Sequence, residues 1–316
     1  MATKTKALLL NLSAIFCWAI SPVAIRYVKD SFPVNLQNFF RYFTSILFIW
    51  PVFFLSTPHS KITVACQTLP SILPKLFVMA GIVYLFQQSF TYSFYLLHPG
   101  FGSLVYKTGV IFSVLLAALF FPDERTTLKN RAFQGGVLLA GIGVIFTIVG
   151  GEHFGKIEFN LGVLFILFAA ACWSLLTTLI KKWIPTVPAS FAVSIILVIV
   201  TPLFLLTDII IHRGLHWPEA PGIIWALMLV SGVIGVGVAH SSYYASVPTL
   251  GVALCATLDL SRPFLAGVIS FIVFKESITA LQLLGGLLLL AGSYLVIRVR
   301  FRADASTAPP ASISSR

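Results

Sequence analysis

The feature that most constrains this chain is a series of long apolar segments separated by short polar ones. A helix that crosses the hydrocarbon core of a bilayer needs about 20 apolar residues. Unpaired backbone groups in lipid cost several kcal/mol each, so helices, which pair these groups internally, are expected. The sequence therefore predicts an all-α integral membrane protein. Its ten predicted spans are 7–27, 34–56, 74–97, 101–121, 132–150, 160–180, 187–209, 222–244, 250–273 and 279–298.

The composition excludes a soluble protein. Only 10% of the 316 residues are charged and 58% are hydrophobic, whereas soluble domains carry about 25% charged residues. The formal net charge of +11 would suggest a polyanionic partner for a soluble protein. Here the basic residues lie mostly between the apolar segments, so membrane lipid is the expected surrounding and no nucleic-acid partner is expected.

The basic residues also predict the orientation in the membrane. Loops on the cytoplasmic side carry an excess of Lys and Arg. With a cytoplasmic N-terminus, thirteen basic residues lie inside and five lie outside, so both termini are predicted to be cytoplasmic. The inner residues are Lys4, Lys6, Lys61, Lys75, Arg125, Lys129, Arg131, Lys181, Lys182, Arg298, Arg300, Arg302 and Arg316, and the outer ones are Arg26, Lys29, Lys156, Arg213 and Lys275.

An internal repeat divides the chain into two halves. Several features recur in the same order at a nearly constant offset of about 150 residues, which indicates a duplication. The pairs are Ala14–Trp18 with Ala169–Trp173, Tyr92 with Tyr244, Glu124 with Glu276, and Gly136 and Gly143 with Gly285 and Gly292. The predicted units are 1–150 and 151–300, with five spans each, and a disordered cytoplasmic tail at 301–316 that is rich in Ser, Ala and Pro.

Five spans per half is an odd number, so the second half must enter the membrane from the opposite side. Two repeats of inverted topology are related by a pseudo-two-fold axis in the membrane plane. This architecture is typical of transporters that work by alternating access.

The repeated motifs also resemble a known family. They are Cys17-Trp18, Arg41 and the stretch from Phe112 through Glu124 to Gly143, with counterparts at Cys172-Trp173 and from Arg262-Pro263 through Glu276 to Gly292. Over about residues 7–298 the chain resembles ten-helix, EamA-domain members of the drug/metabolite transporter superfamily. The resemblance implies a carrier of amino acids or other small metabolites in the bacterial inner membrane. Lys107 and Asp259 depart from the family pattern, so no particular substrate is implied.

Ionisable residues inside spans are energetically expensive and usually functional. Lys107 and Asp259 occupy equivalent positions of the fourth and ninth spans, at an offset of 152. We predict that they line a central cavity and bind the two ends of a substrate, about 10 Å apart along the membrane normal. A buried ion pair and a snorkelling Lys107 are the alternatives. Arg262 shares a helix face with Asp259 and either binds substrate or forms an ion pair with Asp259. Arg41 is expected to snorkel.

Polar and aromatic residues on four other spans complete the candidate site. The third and eighth spans carry more polar residues than a lipid-facing helix tolerates. These residues either hydrogen-bond across helices or line the cavity, and we favour the cavity. The predicted substrate contacts are Gln88, Tyr92, Tyr95, His240 and Tyr244, with Trp18 and Trp173 on the first and sixth spans. His240 is also a candidate for carrying a coupling proton, or else a hydrogen-bonded structural group.

The remaining residues suggest structural roles. Glu124 and Glu276 at helix ends are expected to fix loop geometry, and the recurring glycines of the fifth and tenth spans to form packing or dimerisation surfaces, which leaves a homodimer open. The sequence contains no phosphate-binding Gly-rich loop and no HExxH or GxSxG motif, and its four cysteines lack metal-binding spacing. No cofactor, metal or catalytic residue is therefore expected.

The function that best fits these features is secondary active transport. The predicted substrate is a small polar metabolite, an amino acid or a related zwitterion or anion, moved by alternating access with protons as a candidate coupling ion. One alternative is an intramembrane lipid-modifying enzyme that uses Lys107, His240 and Asp259. Another is an exchanger or facilitator without ion coupling.

Overall fold

The computed structural model describes residues 2–122, 128–150, 156–184, 187, 189–250, 252–276 and 278–307. All regular structure within these residues is helical, and ten candidate spans are long and apolar enough to cross a membrane. Large apolar side chains such as Leu47, Leu119 and Ile210 remain exposed, as expected where lipid is the solvent. The predicted all-α architecture with ten spans is confirmed.

The spans run as follows along the chain. The first is Ala2–Tyr27, the second Val34–Ser56, the third His59–Leu96, the fourth Pro99–Tyr106 with Gly109–Phe120, the fifth Arg131–Val149, the sixth Ile157–Trp183 and the seventh Ala189–His212. The eighth comprises Gly222–Gly232, a π-helical segment Val233–Val238 and Ala239–Leu250. The ninth comprises Val252–Leu258, a 3₁₀ turn Asp259–Ser261 and Arg262–Phe274, and the tenth is Ala280–Thr307.

The tenth helix is longer than predicted. It continues to Thr307, so residues 301–307, which were predicted to belong to a disordered tail, are helical. This stretch contains Arg302, Ala303 and Ala305, which are good helix formers, and the first prolines come only afterwards. The rest of the predicted tail lies outside the described residues.

Two symmetry-related spans are broken near their centres. In the fourth span, Lys107 N–H donates to Leu104 O and Val110 N–H donates to Lys107 O, at 3.0 and 3.1 Å, so the backbone makes a tight turn between two short helices. In the ninth span, the 3₁₀ turn that begins at Asp259 precedes a helix with Pro263 in its first turn, where the missing N–H of proline is tolerated. Both breaks therefore lie at the residues singled out by the 152-residue offset.

The glycine faces of the fifth and tenth spans pack directly against each other within the chain. A Cβ added to Gly143 would lie 2.6 Å from the carbonyl oxygen of Gly285 and 2.8 Å from Cα of Leu289. A Cβ added to Gly136 would lie 3.0 Å from the carbonyl oxygen of Gly292. The predicted packing role is confirmed, and this intramolecular contact replaces the alternative of a dimerisation surface on these faces.

The tight glycine contact predicts a selective effect of alanine. Gly143→Ala should lower the melting temperature in detergent, because forcing an extra atom into a packed interface costs about 1–3 kcal/mol. Gly141 is the matched control: it lies two residues earlier, and a Cβ added there has nothing within 4 Å. Gly141→Ala should be neutral or stabilising, since a helical glycine is less stable than alanine by roughly 0.5–1 kcal/mol. Equal melting temperatures for the two variants would contradict the interface.

Candidate functional site

A cavity of about 650 Å³ lies between the two halves of the chain and is lined by both. Seven of the ten predicted contact residues line this central cavity: Trp18, Lys107, Trp173, His240, Tyr244, Asp259 and Arg262. Its volume is within the range of about 300–1,000 Å³ that is usual for small-molecule sites. The structure thus brings most of the candidate residues together in one place.

The fourth and ninth spans meet in a central charge cluster of Lys107, Asp259 and Arg262. Lys107 Nζ donates to Asp259 Oδ2 at 2.5 Å, and Arg262 Nε lies 3.4 Å from Asp259 Oδ1. The Lys107 side chain is only 5% exposed, whereas the Asp259 side chain is 22% exposed. The two side chains form the buried ion pair that was the alternative interpretation, and the predicted separation of about 10 Å along the membrane normal stays a prediction.

Aromatic rings surround the cationic side of this cluster. The guanidinium carbon of Arg262 lies 5.5 Å from the ring centroid of Trp18 and 5.4 Å from that of Tyr106. Cations are attracted to ring faces at such distances, most strongly where water is excluded. Trp18 therefore packs beside the central charge cluster and helps to hold Arg262 in the cavity.

His240 is part of the same wall. Its ring centroid lies 5.4 Å from Trp18 and 6.2 Å from Trp173, one tryptophan from each half. His240 Nδ1 lies 2.8 Å from the carbonyl oxygen of Val236, in the π-helical segment. In a neutral imidazole this Nδ1 donates its hydrogen, which leaves Nε2 as an acceptor. The structural hydrogen bond is present, and a proton-carrying role for His240 stays a prediction.

Three predicted contacts lie elsewhere among the described residues. Gln88 hydrogen-bonds to Asn35 and, at 3.2 Å, to Tyr84. The Tyr95 hydroxyl donates to the carbonyl oxygen of Phe32 at 2.7 Å. Tyr92 is 40% exposed and packs edge-on against a phenylalanine of the sixth span. These polar groups of the third span mainly fasten it to the second span, which is the interhelical alternative.

Arg41 is the main cavity residue that the sequence analysis missed. It is 1% exposed, lines the cavity, and donates from Nη2 to Ser21 Oγ at 2.5 Å. The expectation that it snorkels is wrong, because the eighth span covers it: a Cβ added to Gly235 would lie 3.2 Å from Arg41 Nη2. The glycines of the eighth span, Gly232, Gly235 and Gly237, were the sequence signal for this close approach.

Positive charge predominates in the cavity. Among its described lining residues, four side chains are cationic and one is a carboxylate, besides the titratable His240 and tyrosines. The cations are Arg41, Lys107, Lys181 and Arg262, and the carboxylate is Asp259. Such a lining attracts anionic groups, since field lines are focused in a cleft with low-dielectric walls.

The cavity lining reaches the end of the sixth span. It includes Lys181, an exposed residue whose ammonium group lies 4.6 Å from the ring centroid of Phe121. Lys181 lies in the last turn of the sixth span, on the side that the distribution of basic residues predicts to be cytoplasmic. Arg41 and Ser21, by contrast, are buried in the membrane half that is predicted to face outward.

On the predicted outer side, an ionic cluster joins the two halves. This outer cluster consists of Arg26, His98, Ser270 and Glu276. Arg26 Nε lies 3.3 Å from Glu276 Oε1, and the same carboxylate also contacts His98 Nδ1 and Ser270 Oγ. Arg26 Nη1 further donates to the carbonyl oxygen of Leu97 at 2.9 Å.

The outer cluster favours a charged Glu276. Burial alone would raise the pKa of Glu276, but hydrogen bonds from His98 and Ser270 and the charges of His98 and Arg26 outweigh burial. The pKa of Glu276 therefore lies below its ordinary value. Its repeat counterpart, Glu124, lies outside the described residues.

Comparison with known proteins gives consistent matches. Residues 5–149 and 160–298 each match the sequence profile of the EamA-like transporter family. An uncharacterized transporter of Haemophilus influenzae is 25% identical over 222 residues, which are 70% of this chain and 71% of that protein. An uncharacterized transporter of Synechocystis sp. is 25% identical over 198 residues, 61% of this chain and 56% of that protein. A crystal structure with 19% identity has the same fold, with a TM-score of 0.64 over 94% of this chain and 98% of that chain.

Proposed function

The chain belongs to the EamA-like transporter family, and on that premise we propose that it is a secondary active carrier of a small polar metabolite. The observation that carries this proposal is the central charge cluster: charges of both signs, from symmetry-related breaks in the two halves, meet inside one cavity. A site between inverted repeats, formed by discontinuous helices, is the arrangement that carriers use for substrate. The proposed location is the bacterial inner membrane, with both termini in the cytoplasm.

Alternating access is the proposed mechanism. In this mechanism the outer cluster, which joins residues of both halves, Arg26 and Glu276 among them, holds the outer side closed. Toward the other side, the cavity lining reaches the exposed Lys181. Rocking of one half against the other would break the outer cluster and expose the same site to the opposite side.

The proposed substrate is an amino acid or a related zwitterion or anion. A substrate carboxylate is attracted by Lys107 and Arg262, and a substrate ammonium by Asp259 and the neighbouring aromatic rings. The excess of cations in the lining supports substrates with at least one anionic group. A neutral or purely cationic solute has no comparable complement.

Counterflow in vesicles tests the carrier. Purified protein is reconstituted into vesicles loaded with an unlabelled amino-acid mixture, and uptake of the same mixture in radiolabelled form is followed. We expect a transient accumulation of label that protein-free vesicles lack, because exchange through one alternating site drives label inward. Label that only equilibrates, without overshoot, would contradict a carrier and indicate a channel.

The same vesicles separate the two alternatives. An imposed pH gradient should drive net accumulation if protons are coupled, and counterflow that ignores the gradient indicates an uncoupled exchanger or facilitator. A lipid-modifying enzyme would instead leave a new lipid product in the vesicle extract. The geometry favours the carrier over the enzyme, because Lys107 is bound to Asp259 and His240 Nδ1 is bound to a backbone carbonyl.

A further inference from the structure

Arg41 is a buried cation with unused hydrogen-bond donors. The side chain is 1% exposed, yet its Nε and Nη1 have no hydrogen-bond partner among the described residues. Only Nη2 has one, the hydroxyl of Ser21. Burying a charge is costly unless the charge is paired and hydrogen-bonded. Within the described residues, two buried donors of this guanidinium are therefore available for a partner.

The described part of the chain does not supply a carboxylate for Arg41. Its surroundings are the Ser21 hydroxyl, the backbone at Gly235 and the cavity. The carboxylate in the cavity lining, Asp259, is already held by Lys107 and Arg262. Arg41 thus differs from Lys107 and Arg262, which share this carboxylate.

We propose that Arg41 binds an oxyanion, a carboxylate or a phosphate group, of the transported molecule. This inference rests on the proposed carrier function and deepens it. Nε and one terminal nitrogen of a guanidinium form a planar fork that fits two oxygens of such a group, and charge-assisted bonds of this kind are short and strong. The oxyanion then lies at the closed end of the cavity, and the rest of the molecule extends toward the central charge cluster.

This position narrows the substrate class. A molecule that reaches both Arg41 and the central charge cluster carries an oxyanion at one end and a second polar or charged group at the other. Lys107 and Arg262 favour a further anionic group there, and Asp259 with the aromatic wall favours an ammonium. Simple amines and neutral sugars lack the first of these features and are excluded from the class.

Melting temperatures with two simple anions test the inference. Purified protein in detergent is melted in sodium acetate, sodium phosphate or sodium chloride at equal ionic strength. Wild type should be stabilised by acetate or phosphate relative to chloride, since a ligand that binds only the folded state raises its stability. Arg41→Met should abolish this shift, and Arg41→Lys should weaken the apparent affinity by about tenfold or more, because lysine cannot form the fork.

Two further melting-temperature measurements distinguish a binding role of Arg41 from a structural role. In chloride, Arg41→Met should melt at or above the wild-type temperature, because it removes an uncompensated buried charge. A structural Arg41 would instead give a lower melting temperature in every buffer. Lys129→Met is the control: it also removes one cation, but from an exposed position outside the cavity lining, and it should keep the wild-type anion response.

Each outcome bears on the inference. Equal anion shifts in wild type, Arg41→Lys and Arg41→Met overturn it, as does the lack of any shift in wild type. If Arg41→Met does not fold, Arg41→Lys decides: a wild-type affinity overturns the inference. A response to phosphate alone, or to acetate alone, supports it and identifies the oxyanion. If counterflow occurs and Arg41→Lys does not change it, the oxyanion site is refuted and the carrier function stands. If Arg41-dependent anion binding occurs without counterflow, the carrier function is refuted and the oxyanion site stands.

Discussion

Lys107→Met and Asp259→Asn should each abolish transport, and the double variant should be more stable than Asp259→Asn without regaining transport. Removing one member of a buried ion pair costs about 3–5 kcal/mol where it leaves an uncompensated charge, as Asp259→Asn does, and removing Lys107 as well relieves part of that cost. The two single variants should differ. Asp259→Asn leaves two cations unpaired, whereas Lys107→Met leaves Asp259 paired with Arg262, so Asp259→Asn should have the lower melting temperature.

Transport and melting temperature must be measured on the same four proteins. Ser113→Ala is a suitable control, because Ser113 lines the cavity outside the central charge cluster and is uncharged. It should keep both stability and transport close to wild type. A double variant that transports again would mean that Lys107 and Asp259 only neutralise each other, which refutes their role in binding.

Glu276→Gln should open the outer end of the cavity. The neutral amide loses the charge-assisted contacts with Arg26 and His98 that join the two halves. Hydrogen bonds to charged groups contribute about 1.5–3 kcal/mol each, and every 1.4 kcal/mol is tenfold in an equilibrium, so we expect about a tenfold or larger shift toward the outward-open state. A cysteine introduced at Val110 in the cavity lining, in a background without native cysteines, reports the shift through its reaction with an impermeant thiol reagent on intact cells.

The pH dependence of this labelling has a definite sign. Because the pKa of Glu276 is lowered in the closed cluster, the cluster stabilises closure fully above the ordinary value of 4.5. That stabilisation is lost as the external pH falls through the lowered pKa. Labelling of wild type should therefore rise with acidification in this window, and Glu276→Gln should remove the rise.

Glu219 provides the control for the outer cluster. It is an exposed carboxylate in the loop before the eighth span, on the same predicted side. Glu219→Gln should leave labelling of the Val110 cysteine unchanged. If Glu276→Gln and Glu219→Gln label equally, the outer cluster does not hold the cavity closed.

The number of spans and the internal repeat could be predicted because each depends only on short stretches of sequence. Each span is a run of apolar residues of sufficient length, and each repeated motif, such as Cys17-Trp18 with Cys172-Trp173, can be found without knowing any contact. The same holds for the glycine faces of the fifth and tenth spans, where small residues recur on one face.

The details of the site depend on contacts between spans, which single-sequence patterns do not contain. The polar character of Gln88 predicts a cavity residue, but the sequence does not show that Asn35, on the second span, is its hydrogen-bond partner. The position of Arg41 near the outer end of its helix predicts snorkelling, but that position does not show which helix covers the side chain. The direct pairing of Lys107 with Asp259 requires breaks in two helices, and the tight turn at Lys107 contains no proline that would predict one.

The breaks in the fourth and ninth spans lie at the proposed substrate site. An unbroken helix moves as a rigid unit, so a ligand bound at its centre can move one half relative to the other only through contacts elsewhere in the protein. Here Lys107 and Asp259 are both the proposed ligand contacts and the residues at which the two helices are interrupted. Under this proposal, recognition and gate movement are a single mechanical event. Substrate binding can then change the conformation of the gates directly, without a chain of intermediate residues between the binding site and the gates.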